Sequence, residues 1–265
     1  MTQRAIVFSH ANGFPAGTYR VLFERWRKAG YAVRAVEKFG HDPRYPVSSN
    51  WPHLRDQLIH FIEREVGGPA FLVGHSLGGL LSLLAACRRP ELARGLVMLD
   101  SPVISGWRAH SLQVVKASGL MKRISPGRIS RARRHEWPSR EAAHQHFAAK
   151  HKFARWDERV LHDYIAAGTE EAGARVQLAF RREIETRIYD TLPHHLPRVL
   201  KLHPPKCPVG FIAGTQSEEI RQGGMHASKA LAKDRFAWIE GSHLYPMEKP
   251  ELTADEVLRL LDSMA

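Results

Sequence analysis

The sequence has little cysteine and no long uninterrupted apolar run. Its 265 residues include only Cys87 and Cys207, too few for a disulfide framework and without a CxxC metal-binding spacing. The most apolar stretch, residues 71–87, is interrupted by one histidine, two serines and three glycines and is too short to span a bilayer. Residues 1–8 lack the features of an export signal. We therefore expect a cytoplasmic protein without a membrane span.

An excess of positive charge is the unusual part of an otherwise ordinary composition. The formal net charge is +12, and residues 105–160 alone carry 13 Lys and Arg against 4 Asp and Glu. No zinc-finger spacing, aromatic RNA-binding motif or basic region with heptads accompanies this charge, so no nucleic-acid partner is expected. Two interpretations remain open: a solvated helical surface, or attraction of an anionic small-molecule substrate toward a cleft.

Strand and helix signals alternate at both ends of the chain. This alternation predicts an α/β fold with a mostly parallel, doubly wound sheet of about six strands, covered by helices on both faces. The expected strands cover residues 5–8, 31–36, 71–73, 95–99, 209–213 and 236–239. Capping residues predict two helix starts, with Asn50 preceding Pro52 and with Thr253 paired with Glu256.

The middle of the chain has a different character. From about residue 105 to residue 203 the strand-like runs disappear, and charged amphipathic stretches take over, with Trp107, Trp137 and Trp156 among them. The predicted organisation is therefore a core of residues 1–103 and 204–265, split by a helical cap at residues 104–203. The three tryptophans either line a pocket or pack helices together.

A short motif lies between the third predicted strand and its helix. Gly74-His75-Ser76-Leu77-Gly78 fits G-x-S-x-G, in which a serine sits on a sharp strand-to-helix turn with its hydroxyl exposed. The glycines fit this geometry, because side chains two positions on either side of the serine would collide with the turn. A glycine-rich turn that only packs a helix onto a sheet is the alternative interpretation.

With this motif in its strand–helix context, the sequence resembles the α/β-hydrolase superfamily over residues 1–103 and 204–265. The resemblance implies an exposed nucleophile at Ser76, then an acid, then a histidine in chain order. His243, in Gly241-Ser242-His243 after the last strand, matches the expected base, which needs an imidazole because it takes and returns a proton near neutral pH. His75 is expected to point away from the site and pack.

The acid is the least determined member of the set. The resemblance places it after the penultimate strand, in Gly214-Thr215-Gln216-Ser217-Glu218-Glu219, and Glu218 is the predicted acid. Glu219 is its neighbour by a one-residue slip. Asp100, at the end of the preceding strand, is the alternative that some relatives use. The role of the acid would be to fix the imidazole tautomer and to stabilise the positive charge of the imidazole.

Two backbone N–H groups are the expected donors to a developing oxyanion. They are those of Leu77, directly after the nucleophile, and of Phe14, in the loop that follows the first strand. The chemistry requires no metal and no cofactor, and His144, His146 and His151 have no nearby carboxylates that would complete a metal site.

The sequence therefore predicts a serine hydrolase that cleaves an ester or thioester of a small to medium acyl group through an acyl-enzyme on Ser76. A serine at this turn, rather than an aspartate, argues against dehalogenase and epoxide hydrolase chemistry. The same residues also support C–C bond hydrolysis or acyl transfer on an anionic substrate, and a ligand-binding protein without catalysis is a further alternative. The acyl chain, the leaving group and the oligomeric state stay open.

Overall fold

The computed structural model describes residues 4–106, 110–111 and 127–264. The strands are β1 (Ala5–Ser9), β2 (Ala32–Ala35), β3 (Ala70–His75), β4 (Ala93–Leu99), β5 (Glu136–Trp137), β6 (Thr169–Ala172), β7 (Arg175–Leu178), β8 (Val209–Gly214) and β9 (Phe236–Ile239). The α-helices are α1 (Arg20–Lys28), α2 (Pro52–Glu65), α3 (Leu77–Arg88), α4 (Gly127–Ala132), α5 (Arg140–Ala148), α6 (Glu158–Gly168), α7 (Arg182–Asp190), α8 (Leu196–Leu202), α9 (Glu218–Gly223), α10 (His226–Ala232), α11 (Tyr245–Glu248) and α12 (Pro250–Asp262). Short 3₁₀ helices cover Ala16–Tyr19 and Pro90–Leu92.

The predicted six-stranded parallel sheet is confirmed. Its strand order is β2-β1-β3-β4-β8-β9, and every neighbouring pair is parallel. Alternate residues of β1 enter two different cores, since Val7 packs on the side of α2 and α3 while Ile6 and Phe8 pack on the side of α1 and α12. Both faces of the sheet are thus buried, which is why its strands are apolar on both sides.

The segment between β4 and β8 is not purely helical, which corrects the sequence-based expectation. Its described part contains a three-stranded antiparallel sheet in the order β5-β7-β6, together with five α-helices after residue 126 and before β8. These strands are only two to four residues long, too short for an alternating pattern to be recognised. The boundaries at residues 104 and 203 stay a prediction, and Trp107 lies outside the described residues. Trp137 and Trp156 are both buried.

Both capping predictions were wrong. Asn50 and Trp51 adopt left-handed backbone angles before α2, and the Asn50 side chain accepts a hydrogen bond from the His194 N–H instead of capping the helix. Thr253 lies inside α12, which begins three residues earlier at Pro250, and its hydroxyl donates to the Lys249 carbonyl. The contact of Asn50 with His194 keeps that side chain from capping α2, and Pro250 sets the start of α12.

Two observations in the described part of the chain concern the cysteines and the lengths of the helices. Cys87 and Cys207 are free thiols, and burial raises the pKa of Cys87 to about 12 and that of Cys207 to about 11. No helix within the described ranges is both long and apolar enough to cross a membrane.

The turn from β3 into α3 packs so closely that it admits only glycine at three positions. A Cβ atom on Gly74 would lie 2.3 Å from the Gly78 carbonyl, and one on Gly78 would lie 1.9 Å from the Ser9 carbonyl oxygen. A Cβ atom on Gly79 would lie 2.1 Å from the Ser101 hydroxyl. The start of α3 therefore lies directly against the end of β1, immediately after Ser76.

We expect Gly78→Ala to lower the free energy of unfolding by about 3 kcal/mol, because its methyl group would displace backbone rather than a flexible side chain. Gly68→Ala is the matched control, since a Cβ atom there meets no atom within 4 Å, and we expect it to change stability by less than about 0.5 kcal/mol. Chemical denaturation of the two variants measures the difference. Equal stabilities would contradict the close packing of α3 on β1.

Candidate active site

Ser76 occupies a strained turn at the junction of β3 and α3. Its backbone angles are φ 54° and ψ −114°, a region that side-chain-bearing residues rarely adopt. Its N–H donates to the Leu99 carbonyl at 2.9 Å, which ties the turn to β4. This geometry presents the hydroxyl above the carboxyl edge of the sheet, next to the N-terminus of α3.

His243 lies beside Ser76, although 167 positions separate them in the chain. Its Nε2 is 3.0 Å from the Ser76 Oγ, and its Nδ1 is 2.6 Å from the Asp100 Oδ2. A carboxylate only accepts, so Nδ1 carries the proton and Nε2 is free to accept the Ser76 hydroxyl proton. The structure thus brings together the two residues that the sequence analysis named as nucleophile and base.

Asp100 is the carboxylate bonded to His243. It is fully buried at the end of β4 and has a left-handed φ of 45°. Besides the imidazole it accepts the Gly214 N–H at 2.7 Å and the Ser217 hydroxyl at 2.5 Å. These bonds hold the carboxylate in one orientation, and a buried charge requires such partners.

Glu218, the predicted acid, does not contact His243. Its side chain is 71% exposed and pairs with Arg221 on the surface of α9. The reason is local: Ser217 caps α9 by accepting the Ile220 N–H, so Glu218 becomes the first residue of the helix and points outward. Serine followed by two glutamates is a common composition for a helix start, and this signal favoured the alternative, Asp100.

Two other charged side chains influence His243. The Glu219 side chain is 48% exposed, and its Oε2 lies 3.8 Å from the His243 Nδ1. Its negative charge raises the pKa of His243, whereas the positive charge of Lys152 lowers it. Burial by itself would lower the pKa of His243. The hydrogen bond and charge of Asp100, assisted by Glu219, outweigh burial and Lys152, so the pKa of His243 is raised above its usual value.

His75 supports the backbone of His243, in addition to the packing that the sequence predicted. Its Nε2 donates to the His243 carbonyl at 2.9 Å, and its Nδ1 accepts the Tyr19 hydroxyl at 2.8 Å. The same hydroxyl accepts the Ala11 N–H at 3.2 Å. Burial lowers the pKa of His75 well below its usual value, so the ring stays neutral and can act as donor and acceptor at once. This chain links the loop after β1 to the loop of His243.

The loop of residues 10–15 carries one of the two predicted oxyanion donors. The Phe14 N–H donates to the Ala11 carbonyl at 3.1 Å, so it already has a partner within its own turn. The Asn12 amide donates to the Glu185 carbonyl at 3.0 Å, and Gly13 adopts a φ of 85°. For the Leu77 N–H, by contrast, no acceptor is present among the described residues. Leu77 is therefore the readier donor.

The loop of His243 is also fixed from the other side. The buried carboxylate of Glu248 accepts both the N–H and the hydroxyl of Ser242, and it pairs with Arg155 at 3.1 Å. The Asp157 N–H donates to the Met247 carbonyl at 3.0 Å. Arg155 and Asp157 belong to the segment between β4 and β8, so that segment is attached directly to the loop that carries the imidazole.

One group of potential metal ligands occurs in the part of the chain that the structure describes. It consists of Asp100, Glu219 and His243, whose ligand atoms lie within 4.8 Å of one another. The His243 Nδ1 is protonated toward Asp100, so this nitrogen does not offer a lone pair to a metal. His144 stacks on His162 and belongs to no such group.

The arrangement has a defined chemical capacity. An imidazole that accepts the Ser76 proton while a buried carboxylate stabilises the resulting cation turns a weak hydroxyl nucleophile into a reactive one. The N-terminus of α3, with the Leu77 N–H, places positive partial charge beside the reacting oxygen. Acyl transfer is the reaction class that uses all of these groups.

We expect Tyr19→Phe to destabilise the fold by about 2 to 3 kcal/mol, because it leaves the buried Ala11 N–H and the His75 Nδ1 without partners. Tyr31→Phe is the matched control, since the buried Tyr31 hydroxyl has no hydrogen-bond partner in the described structure. Urea denaturation distinguishes them. If both variants unfold at the same urea concentration, the Tyr19 hydroxyl does not connect the two loops.

Comparison with known sequences agrees with this fold. The alpha/beta hydrolase family matches residues 6–256 of the chain. Monoglyceride lipase of Rattus norvegicus is 30% identical over 133 residues, which cover 47% of this chain and 44% of that enzyme. The chain therefore matches less than half of the length of this relative.

Solved structures are similar over almost the entire chain. E-2-(acetamidomethylene)succinate hydrolase superposes with a TM-score of 0.75 at 19% identity and covers 98% of this chain and 91% of its own. The thioesterase domain from the curacin biosynthetic pathway has a TM-score of 0.74 at 18% identity, with 97% and 91% covered. At these identities the likeness concerns the fold. Because the family match spans nearly all of the sequence, the chain belongs to the alpha/beta hydrolase family.

Proposed function

We propose that the protein hydrolyses carboxylic esters or thioesters of small to medium acyl groups through an acyl-enzyme on Ser76. The observation that carries this proposal is the hydrogen-bonded chain from the Ser76 Oγ through His243 to the buried Asp100. Asp100 takes the role for which the sequence analysis had named Glu218.

In the proposed reaction the Ser76 oxygen attacks the acyl carbonyl while the His243 Nε2 takes the hydroxyl proton. The tetrahedral intermediate collapses, and the leaving group departs with that proton. A water molecule then gives its proton to His243 and attacks the acyl-enzyme, which releases the acid and restores Ser76. Asp100 stabilises the imidazolium in both halves of the reaction.

The oxyanion is bound by backbone N–H groups in this proposal. Leu77 supplies the first, since its N–H lies at the start of α3 and has no acceptor among the described residues. Phe14 supplies the second by sharing its N–H between the Ala11 carbonyl and the oxyanion. One such donor contributes roughly 3 kcal/mol to transition-state stabilisation.

Two of the similar proteins support an ester or thioester substrate. They are a lipase of monoglycerides, which are esters, and a thioesterase domain. A second candidate is C–C bond hydrolysis or acyl transfer by the same residues on an anionic substrate. It is supported by the basic segment of residues 105–160 and by Lys152, whose charge acts on His243.

We expect Asp100→Asn to lower kcat by roughly 10³- to 10⁴-fold, because an amide no longer fixes the productive tautomer of His243 or stabilises its charge. Glu218→Gln is the matched control and should keep full activity, since its side chain is exposed on α9. Initial rates on p-nitrophenyl butyrate and on short acyl-CoA thioesters measure both. Collapse in Glu218→Gln with activity retained in Asp100→Asn would reverse the assignment of the acid.

Covalent labelling separates catalysis from simple ligand binding. A fluorophosphonate probe should label the unaltered protein at Ser76 and leave Ser76→Ala unlabelled, because only an activated hydroxyl attacks phosphorus. A protein that binds acyl compounds without labelling or turnover would be a receptor, and the proposed hydrolysis would be wrong.

The pH dependence provides a further check of the base. Activity should rise with pH as His243 loses its proton, and this rise should follow the raised pKa of His243. Glu219→Gln removes a neighbouring negative charge, so the rise should move to lower pH. Lys152→Met removes a positive charge, so the rise should move to higher pH. Profiles of kcat/KM at low ionic strength measure both displacements; a shift of both variants in one direction would contradict His243 as the titrating base.

A further inference from the structure

A buried tyrosine and a partly buried arginine of the segment between β4 and β8 lie near the loop that carries Phe14, the arginine through its partner Glu185. The Tyr164 ring packs 5.5 Å from the Phe14 ring, measured between centroids. The Arg133 Nη2 is 2.9 Å from the Glu185 Oε2, and the Glu185 carboxyl carbon lies 3.0 Å from where a Cβ atom of Gly13 would be. This loop follows β1, whose end lies against the start of α3 directly after Ser76, so both side chains belong to the surroundings of that loop.

These side chains hold buried hydrogen-bond donors without acceptors. The Tyr164 hydroxyl, on a residue that is 1% exposed, has the Arg133 guanidinium beside it but no acceptor for its own proton, and the Arg133 Nε likewise has no acceptor within the described structure. The indole N–H of Trp156, whose ring also packs on Phe14, is likewise unpaired there. Burying a donor without an acceptor costs about 1 to 3 kcal/mol, so a cluster of three is a costly arrangement that an acceptor-rich ligand would relieve.

The charges around this cluster favour an anion. Burial lowers the pKa of Lys150, and the positive charge of Arg133 lowers it further. Lys152 adds a third positive charge close to His243. Glu185 opposes them, and its pKa is raised chiefly by burial. Burial also raises the pKa of Tyr164, so its hydroxyl keeps its proton and acts as a donor.

We propose that Arg133 and Tyr164 form a subsite for a carboxylate on the substrate, apart from the acyl group that Ser76 attacks. The ion pair with Glu185 holds the guanidinium of Arg133 in place, and its Nε has no acceptor and is available to the ligand. The guanidinium carries a single positive charge, and Glu185 already balances part of it. The nitrogen that is left therefore suits a singly charged carboxylate better than a doubly charged phosphate. This inference rests on the proposed function and narrows its substrate class.

The test compares mono-p-nitrophenyl glutarate, which carries a free carboxylate, with neutral p-nitrophenyl pentanoate. Tyr164→Phe should lower kcat/KM for the glutarate ester by about 10- to 100-fold, the usual effect of losing a hydrogen bond to a charged group, and should change pentanoate hydrolysis less than about twofold. Tyr31→Phe, the same change at a buried hydroxyl without a partner far from the site, should affect neither ester.

Arg133 is tested together with Glu185, because removing the arginine alone would leave a buried carboxylate unpaired. The double variant Arg133→Met with Glu185→Gln keeps the net charge of the pair, and it should lose the glutarate ester selectively as well. If Tyr164→Phe or the double variant slows both esters equally, the residues have a structural role only and the subsite proposal is wrong.

A binding measurement keeps the two proposals separate. Glutarate itself should raise the thermal unfolding temperature of the unaltered protein and not that of the double variant. Neutral ester turnover without this effect overturns the subsite and leaves the hydrolase proposal intact. Glutarate binding that depends on Arg133, without turnover of any ester, overturns the hydrolase proposal instead. Inorganic phosphate binding with the same dependence, in place of glutarate, would overturn the choice of a carboxylate.

Discussion

The hydrogen bond between Asp100 and His243 is the interaction on which the site depends. A fully buried carboxylate is tolerated only with several donors around it, and these donors come from β8, from the turn before α9 and from the loop after β9. In the sheet order, β4 lies between β3 and β8, so its carboxyl end is adjacent both to the turn of Ser76 and to the donors that follow β8. The topology therefore explains why the buried acid sits at the end of β4.

Strained backbone and close packing accompany each other around this bond. Ser76 and Asp100 both have positive φ angles, a conformation that persists only where the surroundings enforce it. Gly74 and Gly78 allow β1, β3 and α3 to approach closely enough to do so. The close packing that these glycines allow thus offsets the conformational strain of Ser76 and Asp100. As a result, the Ser76 hydroxyl is already oriented before substrate binds.

The sequence predicted the sheet from apolar periodicity and the turn at Ser76 from a motif in a strand–turn–helix context, and the resemblance to the α/β-hydrolase superfamily implied the meeting of Ser76 with His243. It ranked Glu218 above Asp100, since a carboxylate's place in the chain does not reveal whether it faces a helix surface or the interior. The small antiparallel sheet and the supporting role of His75 also escaped it. Those features arise from contacts between residues far apart in sequence, which no local pattern records.

The ion pair of Arg155 with Glu248, and the Asp157 bond to Met247, carry a consequence for engineering. Chimeras that graft the segment between β4 and β8 from another family member would exchange more than a specificity element. Such a graft would remove the cation that neutralises Glu248 beneath the imidazole loop, where the carboxylate is almost fully enclosed. A transplanted segment would therefore need its own arginine at this junction to preserve the alignment of His243 with Ser76.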